Sequence, residues 1–158
     1  MKRKRLLIGA AVIPLLIGIY IYVQFHPNHA FISRSTANPH WAVDCVTSGF
    51  RDIGYDFRVH DFIASPFGPL YIADLMWEDL YRTGDLYWSR DGSVAAATIL
   101  LKDHRSVFAA AYDFSSHRAI RSNPPGFGSN GSKDAEIRQL LDSRGGGVKT
   151  SLPSFKEL

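Results

Sequence analysis

An uncharged apolar stretch near the N-terminus constrains this chain more than any other feature. Residues 6–25 contain no charged side chain, and Lys2, Arg3, Lys4 and Arg5 directly precede them. As an α-helix, a stretch of about 20 residues extends about 30 Å, which is the thickness of the hydrocarbon core of a bilayer. The sequence therefore predicts a single N-terminal transmembrane helix over 6–25.

The basic residues lie on one side of this stretch, and this asymmetry predicts its orientation. Lys and Arg stay on the cytoplasmic side of a membrane, so the N-terminus is expected in the cytoplasm and the following domain in the periplasm or outside the cell. This interpretation makes the chain a single-pass signal-anchor protein of an inner or plasma membrane. The predicted anchor residues are Leu6, Pro14, Tyr20, Tyr22 and Phe25. A cleaved signal peptide is the alternative, although its apolar region usually has only 7–15 residues.

The rest of the chain is expected to form one folded domain of the α+β class, with a small antiparallel β-sheet and two or three packed helices. Its length is sufficient for one hydrophobic core. The predicted organisation is a basic tail over 1–5, the transmembrane helix over 6–25, a tether over 26–37, the domain over 38–147 and a mobile C-terminal tail over 148–158.

Three segments of the domain carry a helical pattern. Asn38 and Pro39 are typical of a helix start, and a stripe that includes Ala42 and Val46 follows them. A second stripe runs from Leu70 to Tyr81, with a strand through 70–72 as the alternative. The third helix precedes Gly145 and presents Ile137, Leu140 and Leu141 on one face.

Strand patterns alternate with these helices. Residues 55–62 alternate apolar and polar side chains, which predicts a strand with one buried face. Asp91 and Gly92 between two apolar runs predict a β-hairpin, and a third strand is expected over 107–114. The Trp-Ser-x-Asp-Gly-Ser sequence over 88–93 resembles the hairpin that recurs in the blades of periplasmic β-propellers. The motif occurs once, so this resemblance implies hairpin geometry only.

The charge balance of the domain argues against nucleic acid as a partner. The chain has 18 Lys and Arg, four of which precede Leu6, and this leaves 14 basic against 15 acidic side chains in the rest of the chain. A nucleic-acid-binding surface requires an excess of positive charge. The expected partners are instead the lipid bilayer and another membrane or periplasmic protein.

Candidate chemistry in the sequence is sparse. Cys45 is the only cysteine, and with His60 as a base it is the candidate for a membrane-tethered hydrolase or thiol enzyme. The glycine pattern over 126–131 lacks the preceding strand and the acidic residue of a dinucleotide-binding turn, so no cofactor is expected. The six histidines form no metal-binding spacing, and no metal is expected either.

Aromatic side chains are the strongest functional signal, because Trp and Tyr dominate binding hot spots. The predicted binding residues are Trp41, Trp77, Trp88, Tyr71, Tyr81 and Tyr87. The alternative is that these side chains fill the core of a small domain. The sequence therefore predicts a protein-interaction module or accessory subunit of a membrane complex, rather than an enzyme.

Overall fold

Strands make up most of the part of this chain that the structure describes. A computed structural model describes residues 13–18, 28–48, 54–75, 81–122 and 133–150. The described strands are β1 (Asn28–Arg34), β2 (Ala42–Ser48), β3 (Gly54–His60), β4 (Leu70–Asp74), β5 (Tyr81–Ser89), β6 (Val94–Leu101), β7 (Ser106–Asp113), β8 (Arg118–Arg121) and β9 (Gly147–Thr150). The described helices are α1 (13–18) and α2 (Asp134–Ser143).

The strands form two antiparallel sheets. The first sheet has the order β1-β2-β3-β4, and the second has the order β8-β7-β6-β5-β9. Their inner faces pack against each other, and α2 covers the outer face of the second sheet. The three layers are therefore sheet, sheet and helix.

The main core lies between the two sheets and is centred on stacked aromatic rings. Phe114 lies between Trp41 and Trp88, with ring centroids 5.3 and 5.7 Å away. The indole N–H of Trp88 donates to Ser33 Oγ at 2.8 Å, which ties β5 to β1 and satisfies the polar end of a buried ring. Other buried members of this core are Val43, Cys45, Phe57, Val59, Ile72, Leu75, Leu86, Ile99 and Tyr112.

A smaller core lies beneath α2. Ile137 and Leu141 pack on Phe108 and on the alanine-rich faces of β6 and β7, where short side chains let the helix approach closely. Asp134 in the first helical turn accepts a hydrogen bond from the backbone N–H of Phe108 at 2.7 Å. This carboxylate also lies at the positive end of the helix dipole, where negative charge is favoured.

A β-bulge in β5 explains why residue 84 is a glycine. Gly84 and Asp85 together lie opposite Thr98, whose Oγ1 accepts from Asp85 N at 2.8 Å. A Cβ atom at Gly84 would lie 2.3 Å from Thr98 Oγ1 and 2.6 Å from its carbonyl oxygen. The bulge therefore requires the absence of a side chain at this position.

The structure corrects the predicted α+β class. Two antiparallel sheets make up most of the described chain, and only α2 packs on them as a helix. The predicted helix after Asn38 is wrong, because this segment forms strand β2. Val43 and Cys45 are two residues apart and both point into the core, as alternate residues of a strand do. The segment from Leu70 begins as strand β4, which was the alternative, and β1 and β9 occupy parts of the expected tether and tail.

The predicted transmembrane helix is also contradicted. Among the described residues, no helix is both long and apolar enough to cross a membrane. This finding corrects the expected signal-anchor and the expected location in an inner or plasma membrane with the domain outside. Within 6–25 the structure describes residues 13–18, which are helical and include Pro14. The other predicted anchor residues, Leu6, Tyr20, Tyr22 and Phe25, lie outside the described residues.

Candidate functional site

An exposed apolar segment connects β3 to β4. We call residues 61–69 the apolar loop. Its side chains at Phe62, Ile63 and Phe67 are 60%, 78% and 101% exposed. Large apolar side chains that face water together in one loop are a feature of binding surfaces.

A buried carboxylate at the start of the apolar loop fixes its conformation. Asp61 is only 1% exposed, and its Oδ1 atom accepts hydrogen bonds from the backbone N–H groups of Ile63 at 3.1 Å and Ala64 at 3.3 Å. Its carbonyl oxygen accepts from the N–H of Ser65 at 2.7 Å. This arrangement closes a turn around the Asp61 side chain, as aspartate does in Asx turns.

The other carboxylate oxygen of Asp61 connects the loop to the second sheet. Oδ2 accepts hydrogen bonds from the Tyr112 hydroxyl at 2.9 Å, and His117 Nδ1 lies 2.5 Å from it. Tyr112 lies on β7 and its side chain is buried in the main core. The loop is therefore anchored to the centre of the molecule rather than only to its own strand ends.

These contacts determine the charge state of the cluster. Burial alone raises the pKa of Asp61, but the hydrogen bonds from His117 and Tyr112 outweigh it, and the pKa lies below its ordinary value. Burial and the neighbouring Asp61 carboxylate both raise the pKa of Tyr112. At neutral pH the cluster therefore contains an ionised carboxylate and a protonated phenol, which is the combination that its hydrogen bonds require.

The turn between β7 and β8 positions His117. Asp113 Oδ1 accepts from the backbone N–H groups of Ser115 at 2.8 Å and Ser116 at 3.4 Å, which defines the turn. His117 then adopts a positive φ of 53°, a conformation that is uncommon for residues other than glycine. Its side chain is 34% exposed, so one edge of the ring is accessible beside the apolar loop.

Basic side chains contact the apolar loop or lie near the strands that it connects. We call Arg34, His40, His117 and Arg121 the basic border. The His40 ring meets the Phe62 ring edge-on at 6.0 Å, and Arg34 donates to the carbonyl of Pro39 at 3.0 Å. Arg121 donates to the carbonyl of Tyr71 at 3.2 Å, just after the loop.

The structure does not bring the predicted thiol pair together. Cys45 is fully buried between the sheets, and burial raises the pKa of its thiol to about 12. His60 faces the opposite side of the first sheet, where its Nε2 lies 3.4 Å from Asp44 Oδ2. The described contacts therefore give Cys45 no base and leave its thiol protonated at neutral pH.

The predicted aromatic binding residues occupy several environments. Trp88 is buried in the main core, and Trp41 and Tyr87 are partly buried against the two cores. Tyr71 is 49% exposed on β4. Trp77 and the side chain of Tyr81 lie outside the described part of the structure.

Within the described ranges, no group of three or more His, Cys, Asp or Glu side chains is arranged to hold a metal ion. No protein-family model matches this chain, and no curated protein or solved structure is similar to it. The assignment of a function therefore depends on the geometry alone.

Sequence reasoning missed Asp61, Phe62, Phe67, Tyr112 and His117 as site residues. One signal was present, since Phe67 lies among Pro66, Gly68 and Pro69, a composition typical of surface loops. The link from Asp61 to Tyr112 and His117 spans 51 and 56 residues. No local pattern indicates a contact over that distance.

Proposed function

We propose that this protein is a non-enzymatic interaction module that binds another protein through the apolar loop. The observation that carries the proposal is the combination of exposed Phe62, Ile63 and Phe67 with a loop backbone that the buried Asp61 carboxylate holds in place. Aromatic side chains that enter a pocket on a partner supply much of the free energy of binding at protein interfaces.

The rigidity of the loop favours tight binding. Ordering a flexible loop on association costs free energy, and a loop that already has its bound conformation avoids this cost. The hydrogen bonds to both oxygens of Asp61 restrict residues 61–65 before any partner arrives. The free energy gained by burying Phe62 and Phe67 against a partner is then not reduced by the cost of ordering the loop.

A protein partner fits this surface better than a lipid surface. Peripheral attraction to anionic lipids typically uses clusters of four to eight Lys or Arg. The basic border contains two arginines and two histidines, and the chain after residue 25 carries 14 basic against 15 acidic side chains. Long-range attraction to an anionic membrane is therefore weak.

Site-specific photo-crosslinking tests the proposal. A benzophenone amino acid replaces Phe67 in the full chain, and in a matched control it replaces Val148, an apolar residue that is 50% exposed on β9 of the other sheet. After irradiation in cells, we expect a discrete protein adduct from position 67 and none from position 148. The adduct should weaken when Phe62→Ser is added.

Two results would contradict the proposal. Equal adducts from positions 67 and 148 would show that exposed apolar side chains crosslink without specificity. A complete lack of protein adducts from position 67, under conditions where the chain is folded and the benzophenone reacts, would show that the loop does not contact a protein.

A further inference from the structure

We infer that the apolar loop recognises an acidic partner segment, in which apolar side chains alternate with carboxylates. This inference rests on the proposed function and specifies the chemistry of the partner. It follows from the exposed arginines described near the apolar loop, because the carboxylate of the loop itself, Asp61, is buried and hydrogen-bonded.

Among the described residues, the two arginines of the basic border pair with no carboxylate. Asp61 is the only acidic residue in the sequence from Phe57 to Ala73, and it is buried. The side chains of Arg34 and Arg121 are exposed, and their described hydrogen bonds go to backbone carbonyls rather than to carboxylates. Their positive charges therefore remain available to a partner.

Several other cations among the described residues pair with carboxylates. Arg105 pairs with Asp103 at 2.7 Å, Arg138 with Asp134 at 2.7 Å, and Lys149 with Asp85 at 2.9 Å. Arg118, which follows His117, pairs with Glu136 at 3.1 Å. The described arginines next to the apolar loop differ from these because their charges have no such partner.

The position of the charges matches an interface with an apolar centre and a polar rim. Phe62, Ile63 and Phe67 form the centre, and guanidinium and imidazole groups lie around it. Guanidinium groups bind carboxylates through paired hydrogen bonds, which adds directional specificity to charge attraction. Rim charges also accelerate association and exclude partners of the same charge.

Two synthetic peptides of matched length test this inference with the full chain. They share their Leu and Phe positions and differ only in carrying Glu or Lys between them, and their binding is measured by fluorescence anisotropy. We expect the Glu peptide to bind roughly tenfold more tightly than the Lys peptide. The arginines of the basic border attract the Glu side chains and repel the Lys side chains, and each exposed charge contact contributes a modest free energy. Raising the salt concentration should reduce this difference.

Charge-reversal variants localise the effect. Arg34→Glu with Arg121→Glu should remove the preference for the Glu peptide, whereas Arg105→Glu at the distant turn between β6 and β7 should leave it unchanged. Phe67→Ser should weaken binding of both peptides. These variants change exposed side chains, and unchanged circular dichroism would confirm that they fold.

The outcomes separate this inference from the proposed function. Equal affinities for the two peptides, both lost in Phe67→Ser, would overturn the acidic partner but leave the apolar loop as a docking site. Binding to phosphatidylserine vesicles with no measurable binding to either peptide would overturn both, since the loop would then recognise lipid. A preference for the Glu peptide that survives the reversal of Arg34 and Arg121 would also overturn the inference.

Discussion

Replacing Asp61 by asparagine should destabilise the protein and release the apolar loop. An asparagine side chain has the same shape, and its Oδ1 can still accept from the N–H groups of Ile63 and Ala64. Its Nδ2 carries hydrogens, however, and cannot accept from Tyr112 or His117. Two hydrogen bonds to a charged acceptor are therefore lost.

The expected loss in the free energy of unfolding follows from these two bonds. Each hydrogen bond to a charged group contributes about 1.5–3 kcal/mol, and the Tyr112 hydroxyl can rotate to accept from the new amide. We therefore expect Asp61→Asn to lower the free energy of unfolding by about 2–4 kcal/mol. Urea denaturation at neutral pH, followed by tryptophan fluorescence, measures this difference.

Acidification should reduce the difference between wild type and Asp61→Asn. The pKa of Asp61 in the folded protein lies below its ordinary value of 3.8, so its contribution is complete above that value and disappears as pH falls through the folded-state pKa. Asp103→Asn is a suitable control because Asp103 is exposed and its described side-chain contacts are with Arg105 in its own turn. A loss equal to that of the control, or a difference that grows on acidification, would refute the argument.

Three further predictions concern the core and the loop. Cys45, whose pKa burial raises to about 12, should not react with Ellman's reagent at pH 8 until urea unfolds the protein, and rapid reaction in the native state would contradict its burial. Gly84→Ala should lower the free energy of unfolding by about 2–3 kcal/mol because its Cβ would overlap Thr98, whereas the control Gly147→Ala should change it little, and equal effects on urea midpoints would argue against the bulge. Phe67→Ser should leave the thermal unfolding midpoint unchanged, since the ring is fully exposed; a large decrease would mean that the ring is buried.

Strong local patterns predicted several elements of this fold. Asp91 and Gly92 indicated the hairpin between β5 and β6, and Gly92 has the positive φ of 70° that such a turn requires. Alternation over 55–62 predicted β3, and the spacing of Ile137 and Leu141 predicted α2. In each case a turn dipeptide or a regular spacing of apolar residues favoured one local structure over the others.

Ambiguous patterns gave the errors. Ala42 and Val46 fit a helical stripe with Cys45 beside it, whereas in the structure this segment is strand β2 and Val43 and Cys45 pack in the core between the sheets. The uncharged apolar stretch over 6–25 predicted a transmembrane helix, whereas the described residues contain no helix that is long and apolar enough to cross a membrane.

The candidate site was the least predictable part, because it depends on contacts between distant segments. The alternation over 55–62 placed His60 on the outer face, but it also extended the strand through Asp61, which in the structure lies beyond β3 in the apolar loop. Only the fold brings the end of β3 next to Tyr112 and the turn that carries His117. Exposure of Phe67 in a loop rich in proline and glycine was the one local signal.

The Asp61 carboxylate holds the apolar loop in one conformation, and both the docking site and its partner depend on this property. Backbone amide hydrogen exchange, measured by NMR at Ile63, Ala64 and Ser65, tests this claim directly. We predict slow exchange at all three amides in the wild type and markedly faster exchange in Asp61→Ala, since removal of the carboxylate opens the turn. Exchange in the wild type at the rate of an unstructured peptide would contradict the account.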